Sequence, residues 1–108
     1  MLSILPTVKK LGKIDSMKAK LITQFRSDTD DGIIQVTVWQ VPEPVPPSGH
    51  RYKYSLVYVK NGKRVVGFDN ERGKGDHCHL DGKEFPYTFV SLEQLGNDFA
   101  AEIAKRKE

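Results

Sequence analysis

The side chains best suited to chemistry in this sequence crowd into one stretch, FDNERGKGDHCHLDGKE, running from Phe68 to Glu84. His77 and His79 are separated by one residue, so on a strand both rings point the same way. Imidazoles are also the side chains best able to exchange protons near neutral pH. Asp81-Gly82 is a favoured pair for a two-residue type I′ turn, and a hairpin about it sets Leu80 opposite Lys83, His79 opposite Glu84 and Cys78 opposite Phe85. His77, His79 and Glu84 then lie on one side. Asp76 adds a carboxylate beside the pair, although strand alternation turns Asp76 and Cys78 the other way.

Metal-independent cleavage of RNA needs groups of these types. A base removes the 2′-hydroxyl proton, an acid protonates the leaving 5′-oxygen, and cationic donors stabilise the charge that builds on phosphorus. His77 and His79 are the candidate base and acid, with Glu84 placed to orient one ring. Lys74 stands between Gly73 and Gly75, where bare backbone can approach an anion, but the terminal Lys-Ser/Thr pair of a P-loop is missing. Arg72 or Lys83 would add charge, and Tyr54 or Tyr58 would stack a base. Two other readings of the same residues stand beside this one. His79 and Glu84 can be a plain cross-strand polar pair with His77 exposed, or His77, His79 and Glu84 can be three ligands of a metal ion. The metal-free reading is the one taken here, and no cofactor is expected. His50, beside the proline-rich segment, has no evident place.

The elements that must position these groups are readable from periodicity. Residues 1–16 show no period and form an expected tail, with Met17 a second plausible start and one domain spanning 17–108. From Lys18 the chain alternates, with Ala19, Leu21, Thr23 and Phe25 on one face, until SDTDDG makes a turn. A second strand runs from Ile33 to Val41, with Ile34, Val36 and Val38 on one side and Ile33, Trp39 and Val41 on the other. The prolines of PEPVPPSG forbid regular pairing and predict a polyproline-like spacer at the rim. RYKYSLVYVK and KRVVGFDN form a hairpin about Asn61-Gly62. A regular register there pairs Tyr58 with Val65, Leu56 with Gly67 and Tyr54 with Asp69. Val57, Val59, Val66 and Phe68 then read as core, and Tyr52, Tyr54, Tyr58 and Asp69 as a groove wall. Pro86 ends regular pairing or marks an edge. Ser91 and Gln94 make a capping box for a final helix, whose stripe is Leu92, Leu95, Phe99 and Ile103, with Lys105, Arg106 and Lys107 at its negative end. The expected architecture is α+β: a curved antiparallel sheet of five or six strands with one C-terminal helix packed across one face.

Composition bounds the function class. With 108 residues, 38% hydrophobic and 29% charged, the chain suffices for one compact core and hence one principal site. The single cysteine, Cys78, cannot form an internal disulfide, which fits a reducing cytoplasm. The apolar start is broken by Pro6, Lys9 and Lys10, so neither export nor a membrane span is expected. A net charge of +3 permits an anionic partner such as RNA without demanding one.

The composite run FDNERGKGDHCHLDGKEFPYTFVSLEQLGNDF resembles the TumE family of small proteins, across Lys18 to Ile103 in layout and most specifically from Asp69 to Phe89. The matching positions are Asp69, Asn70, Gly73, Lys74, Gly75, Asp76, His77, His79, Gly82, Glu84, Tyr87 and Phe89. Two positions depart: Phe68 replaces an expected tyrosine, and Cys78 replaces an arginine between the histidines. The resemblance implies the toxin of a type II toxin-antitoxin pair, growth-inhibiting through RNA and neutralised by a helix-turn-helix antitoxin of the XRE type. It also implies Asp76 among the catalytic groups and Asp69 and Asn70 on the substrate side. A non-catalytic module that binds nucleic acid or a protein partner is the alternative.

Overall fold

The computed structural model describes residues 18–107, and the expected tail at 1–16 lies outside them. Six strands follow one another in space as in sequence, each antiparallel to the next: β1 (Lys20–Thr29), β2 (Gly32–Gln40), β3 (Tyr52–Lys60), β4 (Lys63–Glu71), β5 (Gly75–Leu80) and β6 (Lys83–Pro86). One helix, α1 (Leu92–Ala104), closes the described chain and lies over one face of the sheet. The fold is the α+β architecture expected from the sequence.

Two tight turns set the meander. Asn61 and Gly62 adopt φ of 55° and 77°, and Asp81 and Gly82 adopt 53° and 87°, the left-handed pair that a type I′ hairpin requires. The β5–β6 register matches expectation in full, with His79 opposite Glu84, Cys78 opposite Phe85 and Leu80 opposite Lys83. The β3–β4 register does not. Lys60 faces Lys63 and Val59 faces Arg64, but Val65 is then passed over and Tyr58 pairs with Val66, Leu56 with Phe68 and Ser55 with Asp69. This β-bulge moves the rest of β4 by one residue, and in a sheet one residue exchanges the faces.

The expected division of core and groove is therefore reversed for β3. Tyr54, Leu56 and Tyr58 share the buried face with Val66, Phe68 and Cys78, and both tyrosines are only 1% exposed. Burying two phenols is tolerable because each hydroxyl donates a hydrogen bond, Tyr58 to the Asp31 carbonyl at 2.9 Å and Tyr54 to Asp76 Oδ2 at 2.7 Å. A second bulge in β1, at Ile22, puts Leu21 opposite Trp39 and so separates it from Thr23 and Phe25, with which it was expected to share a face.

The helix supplies the lid of the core. Ser91 Oγ accepts the Gln94 amide hydrogen at 3.0 Å, the expected cap, and Leu95, Phe99 and Ile103 are buried. Phe99 and Tyr87 meet Phe68 edge-on, at 6.2 and 5.0 Å between ring centres. At the helix C-terminus Arg106 donates to both carboxylate oxygens of Asp81, at 3.0 and 2.8 Å, tying the helix to the β5–β6 turn. Among the described residues no helix lies on the opposite face of the sheet.

Gly32, which opens β2, has φ of 146°, and a Cβ there would lie 2.4 Å from the Val59 carbonyl oxygen. Replacing it with alanine combines backbone strain with a backbone clash and should destabilise the fold by about 1–3 kcal/mol. Gly49→Ala, where a Cβ meets nothing within 4 Å, is the matched control and should shift stability by about 0.5 kcal/mol or less. Equal urea midpoints for the two variants would contradict this reading of Gly32.

Candidate functional site

The face of the sheet away from α1 is where the histidines stand. Pairing of β4 with β5 sets Asp69 opposite His77 and Gly67 opposite His79, and pairing of β5 with β6 adds Glu84 beside His79. Cross-strand partners share a side, so these groups form one cluster on the face away from α1. His77 is the buried member, at 4% exposure. Its Nδ1 lies 2.9 Å from the Gly75 carbonyl oxygen, which can only accept, so Nδ1 carries a hydrogen. Nε2 then lies 2.6 Å from Asp69 Oδ1 and 3.6 Å from Glu84 Oε2. Asp69 Oδ1 is itself buried, and no donor among the described residues reaches it with hydrogen-bond geometry.

His79 meets His77 edge to face, with 5.1 Å between ring centres. Burial holds its imidazole below the usual histidine range, and the charge of Arg64 pushes the same way. Glu84 Oε2 accepts from Lys74 Nζ at 2.9 Å. That contact lowers the Glu84 carboxyl and raises the Lys74 ammonium. Both side chains are exposed, at 41% and 48%, so the pair can open to a ligand. An open depression of about 320 Å³ lies here, lined by Lys74, Asp76, His77, Glu84, Phe85 and Pro86.

Arg64 is a member of this face that sequence reasoning missed. Its Cδ lies 3.1 Å from where a Cβ on Gly67 would be, so the glycine leaves room for the arginine stem to lie across the sheet toward His79. The bulge that selects this arrangement has no evident sequence signal, but a glycine opposite the second histidine is a legible one.

Several expected site residues serve the other face. Asp76 pairs with Asn70 across β4 and β5 and takes three hydrogen bonds, from Ser48 Oγ at 2.6 Å and from His50 Nε2 and Tyr54 Oη at 2.7 Å each. The Tyr52 amide donates to His50 Nδ1 at 3.2 Å, which settles the tautomer, and Phe89 stacks on that ring at 3.9 Å. Asn70, expected at the substrate, is wholly buried. Its amide accepts from the Tyr54 N–H at 3.0 Å and donates to the Tyr52 carbonyl at 2.7 Å, extending the β3–β4 ladder beyond its last backbone pair. Tyr54 and Tyr58, expected to stack a base, are in the core and present no ring face. Lys83 pairs with Leu80 and so projects from the helix side of the sheet.

The glycine turn also differs from an anion seat. Gly73 N–H donates to the Pro46 carbonyl at 2.8 Å, and a Cβ on Gly75 would lie 3.0 Å from Pro47, so the glycines let the turn dock on the proline loop. That loop is more than a spacer, since its own Val45 and Ser48 are buried. Arg72 is exposed in this turn. Cys78, 7% exposed on the core face, behaves as the small buried hydrophobe that its expected partner Phe85 implied, and burial pushes its thiol up. A side chain at 78 does not reach the histidine face, so the departure from arginine leaves that face intact.

A family model described as Toxin TumE matches residues 12–107, and the chain belongs to that family of toxins. A toxin family implies an antitoxin partner. No curated protein and no solved structure matches the chain.

Asp76 offers a test of the buried network. Burial opposes its charge, but the hydrogen bonds from Ser48, His50 and Tyr54 outweigh burial and hold its carboxyl below the usual aspartate range. A depressed folded value means that the carboxylate's stabilising effect is complete above the ordinary value of about 4 and is lost as pH falls through the folded one. Asp76→Ala should cost about 3 kcal/mol by leaving buried donors unpaired, and Asp76→Asn should flatten the fall in stability between neutral and strongly acid pH. Urea unfolding at the two pH values checks both, and an unchanged pH dependence in Asp76→Asn would contradict the assignment.

Proposed function

We propose that this toxin cleaves RNA in the cytoplasm by metal-independent acid–base chemistry on the open face of its sheet, and that a helix-turn-helix antitoxin of the XRE type neutralises it. The observation that carries the reading is the edge-to-face pair of His77 and His79 on the face away from α1, flanked by the cations Lys74 and Arg64. His79, the more accessible ring, takes the proton from the ribose 2′-hydroxyl, and O2′ attacks phosphorus as the P–O5′ bond breaks. His77, held through Nδ1 by the Gly75 carbonyl and carrying a second ring proton on Nε2 beside Asp69, gives that Nε2 proton to the leaving 5′-oxygen. The products are a 2′,3′-cyclic phosphate and a 5′-hydroxyl. Lys74 and Arg64 offset the charge on the phosphoryl oxygens, with Lys74 exchanging its Glu84 contact for the substrate.

His79→Ala should restore growth in cells expressing the toxin and lower cleavage by the purified protein about 10²–10⁴-fold, with solubility retained. Full toxicity in both His77→Ala and His79→Ala would remove the catalytic assignment. Retention of RNA without fragments, unaffected by either change, would mark a non-catalytic binding module instead. Lys74→Ala should weaken RNA binding across sequences and make its salt dependence shallower by about one unit of slope.

A further inference from the structure

We infer that Asp69, His77 and His79 form a binding site for a divalent transition-metal cation of the zinc class, and that ion binding and acid–base chemistry at these rings exclude one another. The site is assigned by how the ligand atoms converge. One atom from each of the three residues can be chosen so that all lie within 4.8 Å of one another, with His77 Nε2 and Asp69 Oδ1 only 2.6 Å apart. Bonds of about 2.0–2.2 Å to a tetrahedral ion place neighbouring ligand atoms roughly 3.3 Å apart, so the observed spacings bracket what the ion needs.

Two features of the first histidine point to an ion rather than an ordinary salt bridge. A metal-binding imidazole commonly donates its other N–H to a backbone carbonyl or a carboxylate, which fixes the ring and aims the free lone pair. His77 Nδ1 is held in this way by the Gly75 carbonyl. The atom beside its Nε2, Asp69 Oδ1, is buried and lacks a well-aligned donor. A ring nitrogen and a carboxylate oxygen 2.6 Å apart without an aligned N–H between them can be bridged by a cation shared with the third ligand, which would take the place of the Nε2 proton that RNA cleavage uses. Glu84 Oε2, 3.6 Å from His77 Nε2, is the fourth group in reach once it leaves Lys74.

The ligand set defines the class of ion. Two imidazoles and a carboxylate favour zinc, copper or nickel over magnesium and calcium, which prefer oxygen cages. The sequence suggested Glu84 as the third ligand. The β4–β5 register instead supplies Asp69, with Glu84 already engaged by Lys74. An ion here would occupy the nitrogen lone pairs that proton transfer uses, so a loaded site would be silent in RNA cleavage. Binding itself rests on the side-chain geometry and not on the RNA reading.

Calorimetric titration of the full-length, tag-free protein tests the site directly. Zinc chloride should bind at about one ion per chain, magnesium chloride should give no saturable binding, and Asp69→Asn should weaken zinc binding at least tenfold. His79→Gln is the second variant should Asp69→Asn fail to fold, and cobalt(II) absorption in the visible should report the same loss. Zinc affinity equal in wild type and both variants, or equal binding of magnesium, would overturn the site. Where the wild type cleaves RNA, zinc should suppress cleavage and a chelator should restore it. Stimulation by zinc would overturn the exclusion, whereas absence of any cleavage would refute the RNA reading and leave the titration to decide the site.

Discussion

The pairing of β4 with β5 is the constraint on which the rest depends. It sets Asp69 opposite His77 and Asn70 opposite Asp76, so each adjacent pair belongs to a different face of the sheet. A slip of one residue would turn both histidines under the helix and carry Asp76 out of its network. The register is held from several directions. Asn70 staples β4 to β3, the Gly73 amide binds the proline loop, and Asp76 gathers Ser48, His50 and Tyr54. Burial of these polar groups is tolerable because each finds partners, and with them in place few alternative registers remain open.

The two faces divide the labour. On the helix side, Leu95, Phe99 and Ile103 close over Leu56, Tyr58, Val66, Phe68 and Cys78, and the polar groups of Tyr54, Tyr58, Asn70 and Asp76 are engaged in internal hydrogen bonds. On the other side, the bulge at Val65 and the glycine at 67 bring Arg64 to the histidines, while Lys74 and Glu84 stand exposed at the rim. Chemistry can therefore be altered on the open face with little effect on the core. The residues shared with the family pattern fall on both faces: Asp69, His77, His79 and Glu84 on the open one, and Asn70, Asp76 and Phe89 in the support of the fold.

The hairpins, the capped helix and the single-sided cluster of His77, His79 and Glu84 were legible in the sequence, because turn dipeptides fix register locally and alternation then fixes the faces. The tyrosine face was not. One unpaired residue, Val65, reverses the assignment of Tyr54 and Tyr58, and a bulge has weak local preference in sequence. Asn70 and Asp76 were placed with the chemistry because polar residues in a motif look alike whether they face substrate or hold strands together. Their burial depends on Ser48 and His50, which stand more than twenty residues earlier in the chain. Long-range partners of that kind leave no periodic trace. Asp69 gained its place beside His77 for the same reason, through a cross-strand pairing that the glycine turn sets and no short motif encodes.

The central claim is that His77 is locked by the Gly75 carbonyl with Nε2 set beside Asp69. Nitrogen-15 NMR of the full-length protein, labelled at histidine and assigned with His77→Gln, measures this directly. The account requires a hydrogen on Nδ1 of His77 that exchanges slowly with water, and an Nε2 resonance that shifts in Asp69→Asn. A ring hydrogen found on Nε2 alone, with Nδ1 bare and indifferent to Asp69, would contradict it.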